Sequence, residues 1–186
     1  MKKLFLFCLF AMFSIGQVAN GEVNRPLTGN MEDEDTEIGN FDFLYEDDPN
    51  YDEVFSRTSI LMDEAFSHLG KRYRSGAKGP KAFDCSGFTS YVYKQLADVF
   101  IGASSRDQYA VNIPINRSEI RCGDLVFFTS PRSGRKVGHV GIVVDFDPVT
   151  QDFTFIHASS VSGVKLSSSS ESCYVKRYVG ARRVQL

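Results

Sequence analysis

The sequence has little cysteine, no long apolar run and no excess of positive charge, and each absence excludes a class of protein. Only 4 of its 186 residues are cysteine, too few for a small domain held together by disulfides. No run of about 18 consecutive apolar residues occurs, so we expect no permanent membrane-spanning helix. Lysine and arginine number 21 against 23 acidic residues, a balance that argues against nucleic-acid binding.

Apolar residues are plentiful enough for a buried core. They make up 42% of the chain, and 16 phenylalanines and 8 tyrosines provide large side chains. A length of 186 residues suits one ordinary globular domain. The sequence contains no internal repeat, so its function has to be sought in a site.

The first 21 residues have the layout of an export signal. Lys2 and Lys3 precede an apolar run over residues 4–15, and small residues follow at 18–21. A charged start, an apolar middle and a small-residue end are typical of a signal peptide. Cys8 lies inside the apolar run, whereas a lipid-anchored cysteine stands at its end. We therefore predict an exported chain that resides in the bacterial periplasm or cell envelope.

The rest of the chain divides into two parts of different composition. Residues 22–55 are acidic and show no helical or strand period, which predicts a solvated lead or linker. From residue 56 onwards the patterns become regular, and we predict one domain over residues 56–186. Residues 71–83 are rich in glycine and lysine and are predicted to form a loop.

Two helices are predicted at the start of this domain. Apolar residues at 61, 62, 65, 66 and 69 share one helical face, Gly70 can close that helix, and His68 falls on the opposite face, as expected of a surface histidine. A second helix is predicted to follow Asp84, because Phe88, Val92 and Leu96 recur every fourth residue and Asp84 can cap the start.

Strands dominate the second half of the domain. They are predicted over residues 124–129, 137–146, 152–158, 163–166 and 178–184. Helices followed by strands indicate an α+β fold with an antiparallel sheet.

Cys85 is the first candidate for chemistry. In the first turn of a helix capped by Asp84, its sulfur would lie beside unpaired backbone N–H groups that favour a thiolate and could hold an oxyanion. Gly87, two residues on, is expected to leave room for a substrate. Cys85 by itself could equally be a small buried apolar residue.

Two histidines on neighbouring predicted strands could complete such a site. His139 stands between Gly138 and Val140 on an apolar strand, where Gly141 is expected to leave room beside the imidazole. His157 ends the next strand. A helix-start cysteine with two strand histidines matches the order nucleophile, base and orienting group. Metal binding is a weaker alternative, since no Cys-x-x-Cys or His-x-x-x-His pair occurs, and we expect no metal and no cofactor.

Several short blocks then carry a resemblance to a known family. The blocks are Leu69-Gly-Lys-Arg-Tyr-Arg-Ser-Gly, Phe83-Asp-Cys-Ser-Gly-Phe, Ser104-Ser-Arg-Asp-Gln, Cys122-Gly-Asp-Leu-Val-Phe-Phe, Gly138-His-Val-Gly-Ile-Val, Phe155-Ile-His-Ala-Ser and Val179-Gly-Ala-Arg-Arg-Val. In this order and spacing they resemble the NlpC-type family of papain-like cell-wall peptidases, over residues 56–186. The resemblance implies a papain-like α+β fold whose nucleophile begins a helix packed on an antiparallel sheet.

The resemblance also implies roles for individual residues. It implies Cys85 as nucleophile, His139 as general base and His157 as the third polar residue. Tyr73 corresponds to a family tyrosine near the thiol, and Asp84 to the acid that helps to hold the free amine of the substrate. Ser86 belongs to the same block and is assigned to substrate binding with them.

The implied activity is hydrolysis of peptidoglycan stem peptides at the bond from γ-D-glutamate to diaminopimelate or lysine, without a cofactor. Its partners would be muropeptides. The chain departs from the family at its cleft walls: Ala103 stands where an arginine is common, with Arg106 close by, and Cys122 replaces a common proline. The resemblance therefore implies least about which substrate residues each subsite of the cleft prefers.

Three alternatives remain open at the level of sequence. The same nucleophile could belong to an amidase or acyltransferase. The domain could be a non-catalytic wall-binding module, although such a module would not need all three catalytic-type residues. A redox or metal-binding protein would need Cys85 paired with Cys122 or Cys173. A Cys122–Cys173 disulfide is a further possibility, with two buried thiols as the favoured alternative.

Overall fold

The computed structural model describes residues 51–96 and 99–185. The predicted signal peptide and almost all of the acidic lead lie outside these residues. Residues Asp52–Leu186 form one compact unit. No helix in the described part of the chain is long and apolar enough to cross a membrane.

The described residues form four α-helices, one 3-10 helix (Arg117–Glu119) and eight strands. The helices are α1 (Tyr51–Ser67), α2 (Cys85–Lys94), α3 (Ser105–Val111) and α4 (Ser172–Val175). The strands are β1 (Arg72–Tyr73), β2 (Ala82–Phe83), β3 (Ile113–Ile115), β4 (Leu125–Thr129), β5 (Val137–Phe146), β6 (Phe153–Ser159), β7 (Gly163–Ser168) and β8 (Tyr178–Arg183). Helix α1 therefore begins at Tyr51, inside the range 22–55 that the sequence assigns to the lead.

The main sheet has six strands in the order β3-β8-β4-β5-β6-β7, and all of its pairs are antiparallel. This confirms the predicted α+β fold with an antiparallel sheet. Strands β4 to β7 follow one another in sequence and in space, as short connections favour. In the predicted loop 71–83, β1 and β2 form a small parallel pair.

The core lies on both faces of the main sheet because side chains alternate along each strand. On β4, Leu125 and Phe127 face one buried cluster, while Val126 and Phe128 face another. The first cluster receives the apolar faces of α1 and α2, including Leu61 and Val92. The catalytic-type cysteine and histidines thus belong to elements held by a continuous core.

Helix α1 differs from its prediction in the face that it buries. Leu61, Met62 and Ala65 are buried, but Phe66 and Leu69 are 36% and 45% exposed. The helix ends at Ser67, and the chain then turns so that Gly70, with a φ of +78°, donates its N–H to the carbonyl of Val164. Leu69 consequently lies beyond the helix, while Phe66 lies in its last turn and is partly exposed.

The thiols show no disulfide among the described residues. Cys85, Cys122 and Cys173 are not joined to one another. Cys122 is half-buried, with its sulfur 3.6 Å from the carbonyl oxygen of Val144, and Cys173 is exposed. The possible Cys122–Cys173 disulfide is therefore absent, and the favoured alternative of two buried thiols is wrong for Cys173.

Candidate active site

A cleft of about 670 Å³ brings the predicted catalytic residues together. Its walls include Cys85 from α2, His139 from β5, His157 from β6 and Tyr73 from β1. Ser86 and Asp84 are not among its lining residues. The cleft is the place where a helix start and three strands meet.

The start of α2 is built by Asp84, as the sequence predicts. One carboxylate oxygen of Asp84 accepts the N–H of Gly87 at 2.6 Å and the hydroxyl of Ser86 at 3.3 Å. The other oxygen accepts the N–H of Gly76 at 2.8 Å. Asp84 therefore satisfies the helix start and fixes the preceding loop, which places Cys85 in the first turn.

A buried glutamine locks this helix start to its neighbour α3. The side-chain amide of Gln108 donates to the carbonyl of Ser86 at 3.1 Å and to the hydroxyl of Ser90 at 2.9 Å. Its carbonyl oxygen accepts the hydroxyl of Thr89 at 2.9 Å. Because Gln108 is fully buried and each bond joins α2 to α3, it holds the turn that carries Cys85 in one position.

The thiol of Cys85 has a raised pKa in this setting. Burial is the largest cause, and the negative charge of Asp84 adds to it. Backbone N–H groups of Ser86, Cys85 and Val140 oppose the rise. The expectation that the helix start favours a thiolate is therefore wrong for the resting protein, because burial and the adjacent carboxylate outweigh the N–H groups.

The two strand histidines form a hydrogen-bonded pair. Nε2 of His139 lies 2.8 Å from Nδ1 of His157, with the two rings nearly perpendicular at 88°. The other nitrogen of His157 lies 3.2 Å from the hydroxyls of both Ser167 and Tyr174. Both nitrogens of His157 are thus used, which fixes its ring.

Ser167 and Tyr174 were not predicted from sequence. Ser167 is the first of four consecutive serines, and Tyr174 lies in the short helix α4, which has no strong pattern. No local signal in the sequence distinguishes either residue from its neighbours, because their partner is 10 and 17 residues away.

Both histidines stay neutral under ordinary conditions. Burial, with the positive charge of Arg177 as the second cause, lowers the pKa of His139 to about 4. Burial, together with the charges of His139 and Lys165, lowers the pKa of His157 to about 3. The cleft therefore contains a neutral thiol beside a neutral imidazole pair at pH 7.

Tyr73 lies close to the thiol, and the other predicted binding residues do not face the cleft. The charges of Cys85 and Asp84 act, after burial, to raise the pKa of Tyr73. Ser86 instead uses its hydroxyl to donate to Asp84. Asp84 already accepts three hydrogen bonds, so its carboxylate has limited capacity for a substrate amine.

Gly87 makes room for backbone instead of substrate. A Cβ at Gly87 would lie 2.2 Å from the carbonyl oxygen of Ala77, the atom that accepts the N–H of Asp84. The expectation that Gly87 opens the site to substrate is therefore wrong, because the preceding loop occupies that space.

Two further glycines serve close packing on β5. A Cβ at Gly141 would lie 2.6 Å from the ring of Phe155 and 3.2 Å from the Cβ of His157. The space beside Gly141 is thus filled by residues of β6 and not by the imidazole of His139. A Cβ at Gly138 would lie 2.4 Å from the hydroxyls of both Ser130 and Ser133, so this glycine lets the connection between β4 and β5 fold against the strand beside the predicted base.

His68, predicted as a surface histidine, is buried. Its ring centroid lies 4.9 Å from that of Phe83 and 5.2 Å from that of Tyr91, and its Nε2 lies 2.9 Å from Glu64. The prediction is wrong because His68 lies just past the end of α1, where Phe83 before α2 and Tyr91 on α2 cover its ring.

No group of three or more histidine, cysteine or acidic side chains in the described residues could hold a metal ion. The cleft offers two imidazoles and one thiol already arranged as a hydrogen-bonded pair beside a sulfur. Such an arrangement suits nucleophilic attack by sulfur with an imidazole as proton acceptor.

Comparison with known proteins identifies the family to which this geometry belongs. The family model described as "NlpC/P60 family" matches residues 70–183, which is more than half of the chain. The chain belongs to the NlpC/P60 family. Both the NlpC-type resemblance and the papain-like α+β fold implied by it are thereby confirmed.

Named relatives of this NlpC/P60 chain carry cell-wall names. It is 37% identical over 126 residues to "Murein DD-endopeptidase MepS/Murein LD-carboxypeptidase" of Escherichia coli (strain K12), covering 68% of this chain and 62% of that protein. It is 33% identical over 135 residues to "Probable endopeptidase NlpC homolog" of Haemophilus influenzae, covering 69% and 67%. The chain thus spans about three fifths of the length of the first relative.

A solved structure shows the same fold. The NLP/P60 family protein "similar to lipoprotein" from Staphylococcus aureus superposes with a TM-score of 0.60 at 31% identity. The match covers 69% of this chain and 41% of that one. The fold of the NlpC/P60 domain is therefore common to both proteins.

Proposed function

We propose that this NlpC/P60 chain is a cysteine endopeptidase that hydrolyses peptide bonds of bacterial peptidoglycan. The observation that carries the proposal is the cleft in which Cys85, His139 and His157 meet, with the 2.8 Å bond between the two histidines. The names of the murein endopeptidases that it resembles support the same substrate.

The hydrogen bonds around His157 support one assignment of the ring protons. Nδ1 is the ring nitrogen of His139 left to accept the proton of Cys85, because Nε2 is engaged by His157. Nε2 of His139 must then carry hydrogen and donate to His157. That leaves the hydrogen of His157 on its own Nε2, which donates to Ser167 and Tyr174. Ser167 and Tyr174 are thus positioning residues that hold the pair in the tautomer a base requires.

The chemistry follows from this arrangement. As the sulfur of Cys85 attacks the carbonyl carbon, its proton passes to His139, because both groups are neutral beforehand. The imidazolium then protonates the departing amine, and a thioester remains. Water, deprotonated by His139, attacks the thioester and releases the acid, after which the thiol recovers its proton. The backbone N–H groups of Cys85 and Ser86, which lie beside the sulfur, would stabilise the oxyanion.

The bond proposed for cleavage is the γ-D-glutamyl bond to diaminopimelate or lysine, on the strength of the family resemblance. A second candidate is the cross-link bond that a DD-endopeptidase cuts, which the name of the 37% identical relative favours. Tyr73 lines the cleft beside the thiol and is assigned to substrate contact. Asp84 and Ser86 lie outside the cleft lining and bond to each other, so we assign them to shaping the start of α2 and not to substrate binding.

The proposed place of action is the periplasm or cell envelope. Peptidoglycan lies outside the cytoplasmic membrane, and residues 1–21 have the pattern of a signal peptide. An amidase or an acyltransferase would use the same nucleophile, and product analysis distinguishes both from a peptidase.

The test is incubation of the purified protein and its Cys85→Ala variant with a defined muropeptide mixture, followed by mass spectrometry. We expect the wild type to release L-alanyl-γ-D-glutamate and the variant to release nothing. Release of separated cross-linked stems would select the second bond, and cleavage of another amide would select the amidase alternative.

Cys173→Ala is the matched control, because Cys173 is an exposed thiol outside the cleft lining. We expect it to keep the activity of the wild type. Absence of product from the wild type, with the Cys85 thiol shown to be free, would contradict the proposal and favour a binding module.

A further inference from the structure

The cleft carries positive charge from three arginines and has no acidic lining. Among the described residues that line it, Arg106, Arg132 and Arg177 are the only lysine, arginine, aspartate or glutamate side chains, and all three are exposed. They come from α3, from the connection between β4 and β5, and from the segment between α4 and β8.

The three arginines converge on one loop, residues 130–136. Arg132 belongs to this loop. The N–H of Thr129, just before it, donates to the carbonyl of Arg177 at 2.8 Å. Just after it, the carbonyl of Val137 accepts Nε of Arg106 at 3.2 Å. Two of the three arginines are thereby tied, one through its backbone and one through its guanidinium, to the two ends of the loop that carries the third.

No carboxylate of the described residues forms an ion pair with these guanidinium groups. Asp107 adjoins Arg106 in sequence but accepts the hydroxyl and N–H of Ser104 at 2.8 and 3.1 Å. Arg183, by contrast, is paired with Asp124 at 2.8 Å. Three like charges with no acidic partner among the described residues are available to an anionic ligand.

Two of these arginines influence the pKa values of His139 and Tyr73 in the cleft. Arg177 contributes, after burial, to the lowered pKa of His139. The positive charge of Arg132 acts to lower the pKa of Tyr73, against the effect of burial. Both arginines are therefore close enough to influence whatever binds between the base and the tyrosine.

We propose that Arg106, Arg132 and Arg177 bind the free carboxylates of the glutamyl and diaminopimelyl residues on either side of the scissile amide, so that the cleft selects acidic stem peptides over their amidated forms. This inference rests on the proposed function, since it concerns the same cleft. A guanidinium presents paired N–H donors that match the two oxygens of a carboxylate. A carboxamide has nearly the same shape but no charge, so it loses the charge-assisted bonds.

The competing explanation is that these are solvated surface arginines. Exposed charges interact weakly through water and salt, so such arginines would not discriminate between acid and amide. The two explanations therefore differ in a ratio of affinities that can be measured directly.

The test is calorimetric titration of the Cys85→Ala protein, which binds without turnover. One ligand is L-alanyl-γ-D-glutamyl-diaminopimelate; the other carries carboxamides in place of the glutamyl α-carboxylate and the diaminopimelyl carboxylate next to the amide. We expect the acid form to bind about tenfold more tightly. Adding Arg177→Gln or Arg132→Gln should reduce this ratio to about threefold or less, and added sodium chloride should reduce it as well.

Arg135→Gln is the matched control, since Arg135 is exposed in the same loop but does not line the cleft. It should leave the ratio unchanged. The proposal is overturned if both peptides bind equally, if neither binds, or if the ratio is the same in every arginine variant. Selective binding of the acid form by a protein whose wild type cleaves neither peptide would support the subsite and contradict the peptidase function.

Discussion

His68 and His157 are both buried among aromatic rings, but they differ in their hydrogen bonds. His68 is 7% exposed and His157 is 1% exposed. His68 has one nitrogen bonded to Glu64, and its Nδ1 has no hydrogen-bond partner among the described residues. His157 has both nitrogens bonded, and the partner of its Nδ1 is His139, which lines the cleft together with it.

The comparison shows that burial and ring contacts do not indicate function by themselves. His68 packs between α1 and α2 and holds two helices together. His157 lies at a similar depth, yet it lines the cleft and bonds to His139, the proposed base. A histidine becomes a candidate for catalysis when an unbroken series of hydrogen bonds connects it to a cleft.

The largest expected difference between the two histidines is in activity. His157→Ala should lower kcat on a muropeptide substrate by on the order of a hundredfold, because His139 loses the acceptor that fixes its tautomer. His157→Asn should recover part of this loss, since an amide oxygen can accept the same bond. Steady-state rates by chromatography of the released peptide measure both.

His68→Ala is the matched variant, since it also removes a buried imidazole. It should lower the free energy of unfolding by about 2–4 kcal/mol through the cavity it leaves, and should leave kcat within about twofold. Equal loss of kcat in the two folded alanine variants would abolish the distinction drawn between these histidines.

A second difference should appear in the dependence of stability on pH. His139 and His157 have folded-state pKa values of about 4 and about 3, below the unfolded value near 6.5. Between these values the unfolded chain binds more protons than the folded chain, so stability is full above pH 6.5 and falls as pH decreases. Protonation of each histidine in the unfolded chain should lower the free energy of unfolding by roughly 1–2 kcal/mol between pH 7 and pH 5.

Urea unfolding at pH 7 and pH 5 measures this decline. His157→Asn, which has no titrating ring at that position, should show a shallower decline than the wild type. The same slope in both proteins would mean that His157 titrates normally and is not sequestered as the structure indicates.

The smallest expected effect is that of the hydroxyl of Tyr174. Tyr174→Phe keeps the ring that packs at 4.9 Å from Phe155 but removes one of two acceptors for His157. We expect kcat to fall about threefold to tenfold, and the low-pH limb of the rate profile to shift, while the melting temperature changes little. Tyr178→Phe is the control, because Tyr178 does not line the cleft; a shift of the pH profile in both variants would count against the positioning role.

Much of the fold follows from local patterns in the sequence. The cap at Asp84 and the fourfold spacing of Phe88, Val92 and Leu96 predict α2, and all three apolar residues are buried. Strand β5 has the predicted bounds, Val137–Phe146. These predictions succeed because periodicity and capping depend on neighbours in the chain.

The remainder depends on contacts between distant segments. No local pattern predicts helix α3, although the block Ser104-Ser-Arg-Asp-Gln lies at its start, and its buried Gln108 acts through α2. The burial of His68 requires Phe83 and Tyr91 from other segments to cover it. The thiol pKa likewise depends on burial that spacing cannot reveal. Sequence identifies the catalytic-type residues, while their protonation and support come from tertiary packing.

Gly138 has a consequence for attempts to transplant specificity between related enzymes. Because it lets residues 130–136 pack directly on the strand position before His139, one wall of the cleft and the proposed base are formed by adjacent residues. A loop exchanged from a homologue should therefore be moved together with this glycine. An exchange that introduced a larger residue at position 138 would alter turnover as well as substrate choice. The new loop would then be wrongly judged unable to confer its specificity.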